Sequence, residues 1–149
     1  MTLQDSTTLC LTIFRENRGG GQAGMQSVAN VILNRVAKRG TDVTTECLRP
    51  LQFTSMTYAK SSEIALGPNP TNPADWAAWN NALIIASQAA QDNLPDLTGG
   101  ATVYYAPAGI QSAATITLNG QTYPFPATWN QAALTFTTEI AKQLFFVEI

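Results

Sequence analysis

The sequence predicts a mainly helical α+β domain that carries a small antiparallel β appendage. Two segments, 22–39 and 72–90, repeat apolar residues with the period of an α-helix, and residues 115–125 alternate as a β-hairpin does. The 149 residues, 45% of them hydrophobic, fit one compact domain over 1–149, which at this size buries about two-thirds of its unfolded surface. We therefore expect one core and a single domain.

The first helix is expected to begin at an N-cap provided by Asp5 or Ser6 and to end at Gly19. Its apolar side consists of Leu9, Cys10, Ile13 and Phe14. The second helix, 22–39, has the clearest stripe, formed by Met25, Val28, Ala29, Ile32 and Val36. Further apolar residues widen this stripe, so we expect the helix to be buried on most sides.

Residues 40–72 lose the helical period and contain the proline and glycine typical of loops, with a short helical turn expected at 62–66. Asn72 can then cap a third helix that begins with proline. Trp76 and Trp79 lie on the apolar stripe of this helix. We therefore expect both indoles in the core.

The last third of the chain changes to a β pattern. Asn119-Gly120 is a strong hairpin signal between two alternating runs, and Pro124 confines the second strand to an edge. Residues 134–149 end in a run of β-forming side chains. These segments predict the small antiparallel appendage.

Composition excludes several classes of function. The chain has no histidine, which removes the ordinary zinc amidases and the Cys-His and Ser-His-Asp hydrolases, and we expect no metal or cofactor. Only 12% of residues are charged, without a basic stripe, so no nucleic-acid partner is expected. No apolar run is long enough to span a membrane, and no secretory signal is recognisable. Cys10 and Cys47 favour free buried thiols over a disulfide.

Glu16 is the candidate for chemistry. It follows Leu9 by seven residues and Ile13 by three, so a continuous helix places its carboxyl group on the apolar face. Burial and the negative end of the helix dipole favour the protonated form, which can protonate the leaving oxygen of a glycosidic bond. An ion pair with Arg15 or Arg18 is the structural alternative, and spacing alone leaves it open.

Several segments in order resemble one family. Residues 16–20 read E-N-R-G-G and 24–36 read G-M-Q-S-V-A-N-V-I-L-N-R-V, followed by Q-F-T at 52–54, T-G-G-A-T-V-Y-Y-A-P at 98–107 and a final L-F-F. They resemble the SleB-type cell-wall hydrolases, the spore-cortex-lytic relatives of lytic transglycosylases on a lysozyme-like helical fold. The resemblance spans nearly the whole chain.

The resemblance implies a role for each matched position. Glu16 becomes the catalytic acid, with Arg18 and Asn34 as structural support. The candidates for glycan contact are Gln52, Phe53, Thr54, Tyr104 and Tyr105, of which Phe53 and one tyrosine are more simply explained as core. The chain departs from the family pattern at Gly20, Ala106 and about Gln143, where the family has glutamate, asparagine and often histidine.

The implied activity is cleavage of the β-1,4 bond between N-acetylmuramic acid (MurNAc) and N-acetylglucosamine (GlcNAc) in peptidoglycan strands. A single motif-placed acid favours a lytic transglycosylase that produces 1,6-anhydro-MurNAc ends. A muramidase-type hydrolase, a non-catalytic peptidoglycan-binding or structural module, and a partner-binding helical domain are the alternatives. We expect a monomer that resembles a phage or prophage endolysin, made in the cytoplasm and acting on the cell wall.

Overall fold

The computed structural model describes residues 1–57 and 67–149. The helices are Leu3–Asn17 (α1), Gly21–Arg39 (α2), Val43–Cys47 (α3), Thr54–Thr57 (α4) and Pro73–Ala90 (α5). The strands are Val103–Tyr105 (β1), Thr115–Leu118 (β2), Gln121–Pro124 (β3), Leu134–Ile140 (β4) and Gln143–Glu148 (β5). Helices precede strands, and the predicted α+β class with a small antiparallel sheet is confirmed.

Helix α1 begins three to four residues earlier than expected. Thr2 is the N-cap: its hydroxyl accepts from the Asp5 backbone N–H at 3.0 Å, and the Asp5 carboxylate accepts from the Thr2 N–H at 2.9 Å. This is a reciprocal capping box. The expected cap at Asp5 or Ser6 is therefore wrong, because Asp5 serves as the acidic partner inside the first turn. The helix ends at Asn17, and a 3-10 turn, Arg18–Gly20, leads into α2.

The region expected to be a loop is partly helical. Asp42 caps α3 through its side chain, which accepts from the Thr45 N–H at 2.6 Å. Short helices of this length escape a search for apolar periods, because one turn shows no repeat. The helical turn expected at 62–66 lies outside the described residues.

Helix α5 has the predicted cap, since the Asn72 side chain accepts from the backbone N–H of Ala74 at 3.0 Å. Trp79 contacts Phe14 edge-on, with ring centroids 5.3 Å apart, and packs against the core as expected. Trp76 is 44% exposed, so its assignment to the core is wrong. Trp76 and Trp79 are three residues apart on α5. The side of α5 that packs against the core is narrower than the apolar stripe in the sequence, so it includes Trp79 but not Trp76.

The strands form a three-stranded antiparallel sheet in the order β1-β5-β4 and the separate hairpin β2-β3. The hairpin turns at Asn119-Gly120, both with positive φ, as predicted. A second tight turn, Ala141-Lys142, joins β4 to β5, also with positive φ at both residues. The sheet rests on α2 through a small cluster of Val31, Ala101 and Phe145.

Cys10 and Cys47 are buried and free, which confirms the favoured expectation. They belong to the helical core, built mainly from α1, α2 and α5. No helix in residues 1–57 or 67–149 has the length and apolar character needed to cross a membrane.

Candidate active site

An open cleft of about 640 Å³ lies between the helical part and the end of the sheet. From the helical part it is lined by Glu16, Arg35, Arg39, Leu51, Gln52 and Phe53. The opposite side is lined by Val103, Tyr104, Trp129, Asn130, Ala133, Leu134, Glu148 and Ile149. Its size lies within the range of small-molecule sites. The cleft is thus a candidate site at the junction of the two structural layers.

Glu16 is half-buried in this cleft, one residue before the end of α1. The Ser55 hydroxyl donates a short hydrogen bond to Glu16 Oε1, and the Ser55 backbone N–H also donates to the carboxylate. Burial raises the pKa of Glu16, and the two hydrogen bonds from Ser55 partly oppose this rise. The net result is a carboxyl group that retains its proton to a higher pH than an exposed glutamate.

The two arginines beside Glu16 in sequence, Arg15 and Arg18, contact other residues. The salt bridges within residues 1–57 and 67–149 do not include Glu16. Arg15 Nη1 donates to the Ser55 carbonyl at 3.2 Å, and Arg18 Nε lies 3.6 Å from the Asp75 carboxylate. Arg15 therefore contacts Ser55, which in turn donates to Glu16, whereas Arg18 contacts Asp75 of α5.

Ser55→Ala is expected to raise the pKa of Glu16 further, because it removes a hydrogen bond that favours the carboxylate while burial is unchanged. The direct measurement is a carbon-13 NMR titration of the side-chain carboxyl of Glu16. Thr54→Ala is the matched control, since Thr54 is exposed on the same short helix and does not line the cleft. A lower pKa in Ser55→Ala, or an equal shift in both variants, would contradict this account.

Three of the sequence-predicted contact residues lie in the cleft wall: Gln52, Phe53 and Tyr104. Gln52 is exposed at the rim of the cleft. Phe53 is 1% exposed and belongs to the hydrophobic core, in line with its simpler explanation as a core residue. Tyr104 stacks on Phe145 with centroids 5.4 Å apart. Burial first, and then the charge of Glu16, raises the pKa of Tyr104, so its phenol stays protonated beside the carboxyl group.

Two predicted contact residues lie elsewhere. Tyr105 is buried in the sheet core, where its hydroxyl donates to the Pro124 carbonyl at 2.9 Å. Adjacent strand residues point to opposite faces, so Tyr104 and Tyr105 cannot share one site. Thr54 is exposed but is not a wall residue. Neither residue lines the cleft.

The two residues expected to support the site make structural contacts. Arg18 lies over the Phe14 ring, with its guanidinium carbon 5.2 Å from the centroid, in addition to its approach to Asp75. Asn34 Nδ2 donates to the Ala101 carbonyl at 3.0 Å, which ties α2 to the segment before β1. Neither side chain lines the cleft.

Sequence reasoning missed Ser55, Arg35, Trp129 and Glu148 as parts of the site. Ser55 immediately follows the Q-F-T segment, and Arg35 lies within the quoted N-R-V. These neighbouring motifs were therefore a usable signal. Trp129 comes from a loop and Glu148 from the last strand, both outside the quoted motifs. Only the folding of the chain brings them into the same cleft as Glu16.

Two departures from the family pattern meet at Asn17. Asn17 Nδ2 donates to Gln143 Oε1 at 2.8 Å, which connects the end of α1 to β5. A Cβ atom at Gly20 would lie 2.5 Å from Asn17 Oδ1, and one at Gly24 would lie 2.8 Å from Nδ2. Any side chain at Gly20 would thus have to displace Asn17, whose neighbour in sequence is Glu16.

The cell wall hydrolase family model matches residues 19–146, from the glycine turn to the last strand. The chain belongs to the cell wall hydrolase family. This confirms the expectation of a cell-wall hydrolase that degrades peptidoglycan. The match begins after Glu16, Asn17 and Arg18, so the assignment of the acid depends on the geometry described above.

Among solved structures, the cell wall hydrolase is similar to the catalytic domain of the germination-specific lytic transglycosylase SleB from Bacillus anthracis. The sequence identity is 24%, the match covers 98% of this chain and 96% of that chain, and the TM-score is 0.65. At this identity the likeness shows a shared fold. No curated protein matches the chain in a sequence search.

Residues 1–57 and 67–149 contain no group of three or more His, Cys, Asp or Glu side chains able to hold a metal ion.

Proposed function

We propose that this cell wall hydrolase cleaves the MurNAc-GlcNAc β-1,4 bond as a lytic transglycosylase, with Glu16 as its acid and base. The observation that carries the proposal is the half-buried Glu16 carboxyl group in the cleft, with a raised pKa and a hydrogen bond from Ser55. A protonated carboxyl group at neutral pH is what a glycosidase needs in order to protonate the leaving oxygen. The solved relative is named a lytic transglycosylase, which supports the same reaction type.

The proposed reaction uses one carboxyl group twice. Glu16 gives its proton to the glycosidic oxygen as the bond from C1 of MurNAc breaks and positive charge develops on the ring. The resulting carboxylate then takes the proton of the MurNAc C6 hydroxyl, whose oxygen bonds to C1. The products are a GlcNAc end and a 1,6-anhydro-MurNAc end, and Glu16 is protonated again.

A muramidase-type hydrolase is the second candidate, because Glu148 also lines the cleft. A second carboxylate could activate water at C1. Glu148 lies 3.5 Å from Arg39 Nη2, however, and this ion pair favours a structural role. Glu148→Gln separates the two candidates, because a transglycosylase keeps its turnover in this variant and a hydrolase using that base loses it.

The deciding experiment digests purified peptidoglycan with the wild-type protein in 18O-labelled water and identifies the released muropeptides by mass spectrometry. Unlabelled 1,6-anhydro ends are expected, because the intramolecular attack uses no water. Reducing ends that carry the heavy oxygen would replace this proposal with the hydrolase. Absence of both products, with the protein folded, would exclude cleavage of this bond.

Trp129 is a proposed platform for a sugar ring. Its indole lines the cleft, and edge-on contacts to Tyr105 and Phe125 at 5.5 and 6.2 Å between centroids hold it in place. Aromatic side chains are common in ligand sites because they provide large apolar contact area. The half-buried indole can therefore present such area to the glycan.

Trp129→Leu is expected to raise KM for peptidoglycan about tenfold, or about 1.4 kcal/mol, with kcat nearly unchanged. Leucine keeps apolar packing against the sheet core but lacks the flat face. The matched control is Trp76→Leu, an exposed indole on α5 that does not line the cleft. Equal KM values for Trp129→Leu and the wild type would exclude the platform.

A further inference from the structure

Arg35 occupies an unusual position in the cleft wall. It is 4% exposed, on α2, and lines the same cleft as Glu16 and Tyr104. Its Nε donates to the Thr102 carbonyl at 2.5 Å, and its guanidinium carbon lies 5.6 Å from the Phe53 ring centroid. These contacts fix the planar group from two sides.

The charge of Arg35 has no carboxylate partner in the described part of the chain. The salt bridges there pair Arg18 with Asp75, Arg39 with Glu46 and Glu148, and Arg49 with Glu46. Arg35 Nη1 is enclosed and has no hydrogen-bond acceptor among the described residues. A buried cation with an unused donor costs free energy, so the free protein retains an unfavourable group at its cleft.

Electrostatics agrees with this geometry. Burial, followed by the nearby charge of Arg39, lowers the pKa of Arg35, and the charges of Tyr104, Glu46 and Glu148 only partly oppose this change. The guanidinium remains charged at any physiological pH. A ligand oxygen that reached this group would gain a charge-assisted hydrogen bond, which is stronger than one between neutral groups. The favourable partner is therefore a carboxylate or a strongly polar carbonyl.

The sign of the charge limits where the partner can lie on a glycan. The proposed transition state is positively charged at the sugar ring, and a fixed cation beside C1 would oppose it. A cation can instead meet a substituent away from C1. MurNAc differs from GlcNAc by a lactyl group on O3, whose carboxyl group is free in stem-free strands and amide-linked where a peptide stem is attached.

We propose that the Arg35 guanidinium binds a carboxyl oxygen of the MurNAc lactyl group and so distinguishes MurNAc from GlcNAc in the cleft. This inference rests on the proposed glycan substrate. Arg35 is then a substrate-binding residue, whose effect falls on KM and on affinity rather than on kcat. Because Nη1 is enclosed in the free protein, binding requires a small side-chain adjustment at the cleft wall, as is common in complexes.

The test measures, by isothermal titration calorimetry, the affinities of the Glu16→Gln protein for three glycans of equal length. This variant is used because it is expected to leave the glycans uncleaved during the titration. These are stem-free strands with the free lactyl carboxylate, the same strands converted to the methyl amide, and oligomers of GlcNAc alone. Both lactyl glycans are expected to bind at least tenfold more tightly than the GlcNAc oligomer. Tighter binding of the carboxylate than of the amide identifies the charge as the feature recognised, and equal binding identifies the carbonyl.

Adding Arg35→Lys or Arg35→Met to Glu16→Gln is expected to remove most of this preference, with GlcNAc-oligomer affinity nearly unchanged. Arg39→Lys is the matched control, because this cation of the same wall already has carboxylate partners, and it should keep the preference. Thermal unfolding is measured for each variant, since Arg35→Met leaves the Thr102 carbonyl without its donor.

Equal affinity of Glu16→Gln for all three glycans overturns the inference without reference to any Arg35 variant, as does a preference that persists in folded Arg35→Lys and Arg35→Met. These outcomes are separate from failure of the proposed function. A wild-type protein that binds lactyl glycans selectively but releases no product contradicts the reaction and supports the role of Arg35. Absence of binding to every glycan contradicts both.

Discussion

Glu16→Gln is expected to lower kcat for peptidoglycan cleavage by about 10²–10⁴-fold, the range that a positioned acid-base group contributes. Glutamine keeps the shape of the side chain and can still accept the Ser55 hydroxyl hydrogen bond, but it has no proton to give to the glycosidic oxygen. The measurement is the initial rate of muropeptide release from one peptidoglycan preparation by both proteins.

The stability of Glu16→Gln separates loss of chemistry from loss of fold. Burial raises the pKa of Glu16 in the folded chain above its ordinary value of 4.5, so the native state holds a proton that the unfolded state has released. Stability of the wild type therefore falls as the pH rises through this window. The variant lacks this penalty, so it should unfold at the same or a higher temperature at neutral pH, with the difference shrinking below about pH 4.5.

A folded Glu16→Gln protein that retains more than about a tenth of the wild-type rate would remove Glu16 from the mechanism. The Glu148→Gln variant should then be measured first, because Glu148 provides the other carboxylate side chain among the described residues of the cleft wall. If both variants keep full activity, the acid lies outside these two positions.

The long helices could be predicted because each repeats an apolar stripe over several turns, as α2 does up to Arg39. The β4-β5 hairpin could not, because its turn is Ala141-Lys142 rather than a glycine or asparagine pair. Both residues have positive φ, 49° and 62°, which side chains of this kind rarely adopt. The pairing of β4 with β5 maintains this turn. Because the pairing is a tertiary contact, the local sequence does not indicate it.

The features of the candidate site also fall into two groups: those that are local in sequence and those that depend on tertiary contacts. Glu16 could be predicted because its spacing from the apolar residues of α1 and its motif are both local features. Its raised pKa, however, depends on the depth of the cleft and on Ser55, which α4 brings to the end of α1. Trp129 lies in the β part of the chain, and no motif near it in sequence indicates that it shares a cleft with Glu16. Local sequence patterns therefore do not reveal contacts between elements that are distant in sequence.

Glu46→Ala is expected to lower the stability of the fold substantially. Glu46 is fully buried, and its carboxylate lies 2.8 Å from Arg39 Nη1 and 2.7 Å from Arg49 Nη2. The Thr41 hydroxyl also donates to it at 2.8 Å. Truncation removes the shared acceptor of these donors, while the two guanidinium groups, 29% and 38% exposed, can turn to water. The free energy of unfolding should therefore fall by about 1–3 kcal/mol. Urea unfolding at pH 7 measures this change.

The control breaks the other ion pair of the same arginine. Glu148 is 36% exposed and lies 3.5 Å from Arg39 Nη2, so Glu148→Ala should cost less than about 1 kcal/mol. Equal losses in the two variants would show that burial of Glu46 does not matter.

The pH dependence of stability gives a second, independent comparison. Burial opposes the charge of Glu46, but hydrogen bonds from Arg49 and Thr41 and the charge of Arg39 lower its pKa overall. Its contribution is therefore complete above the ordinary value of 4.5 and is lost as the pH falls below it. The difference in stability between the wild type and Glu46→Ala should shrink in acid, whereas the difference for Glu16→Gln appears on the alkaline side of the same value. Two carboxyl groups in one domain thus carry opposite pH signatures, because arginines surround Glu46 and no salt bridge in the described residues reaches Glu16.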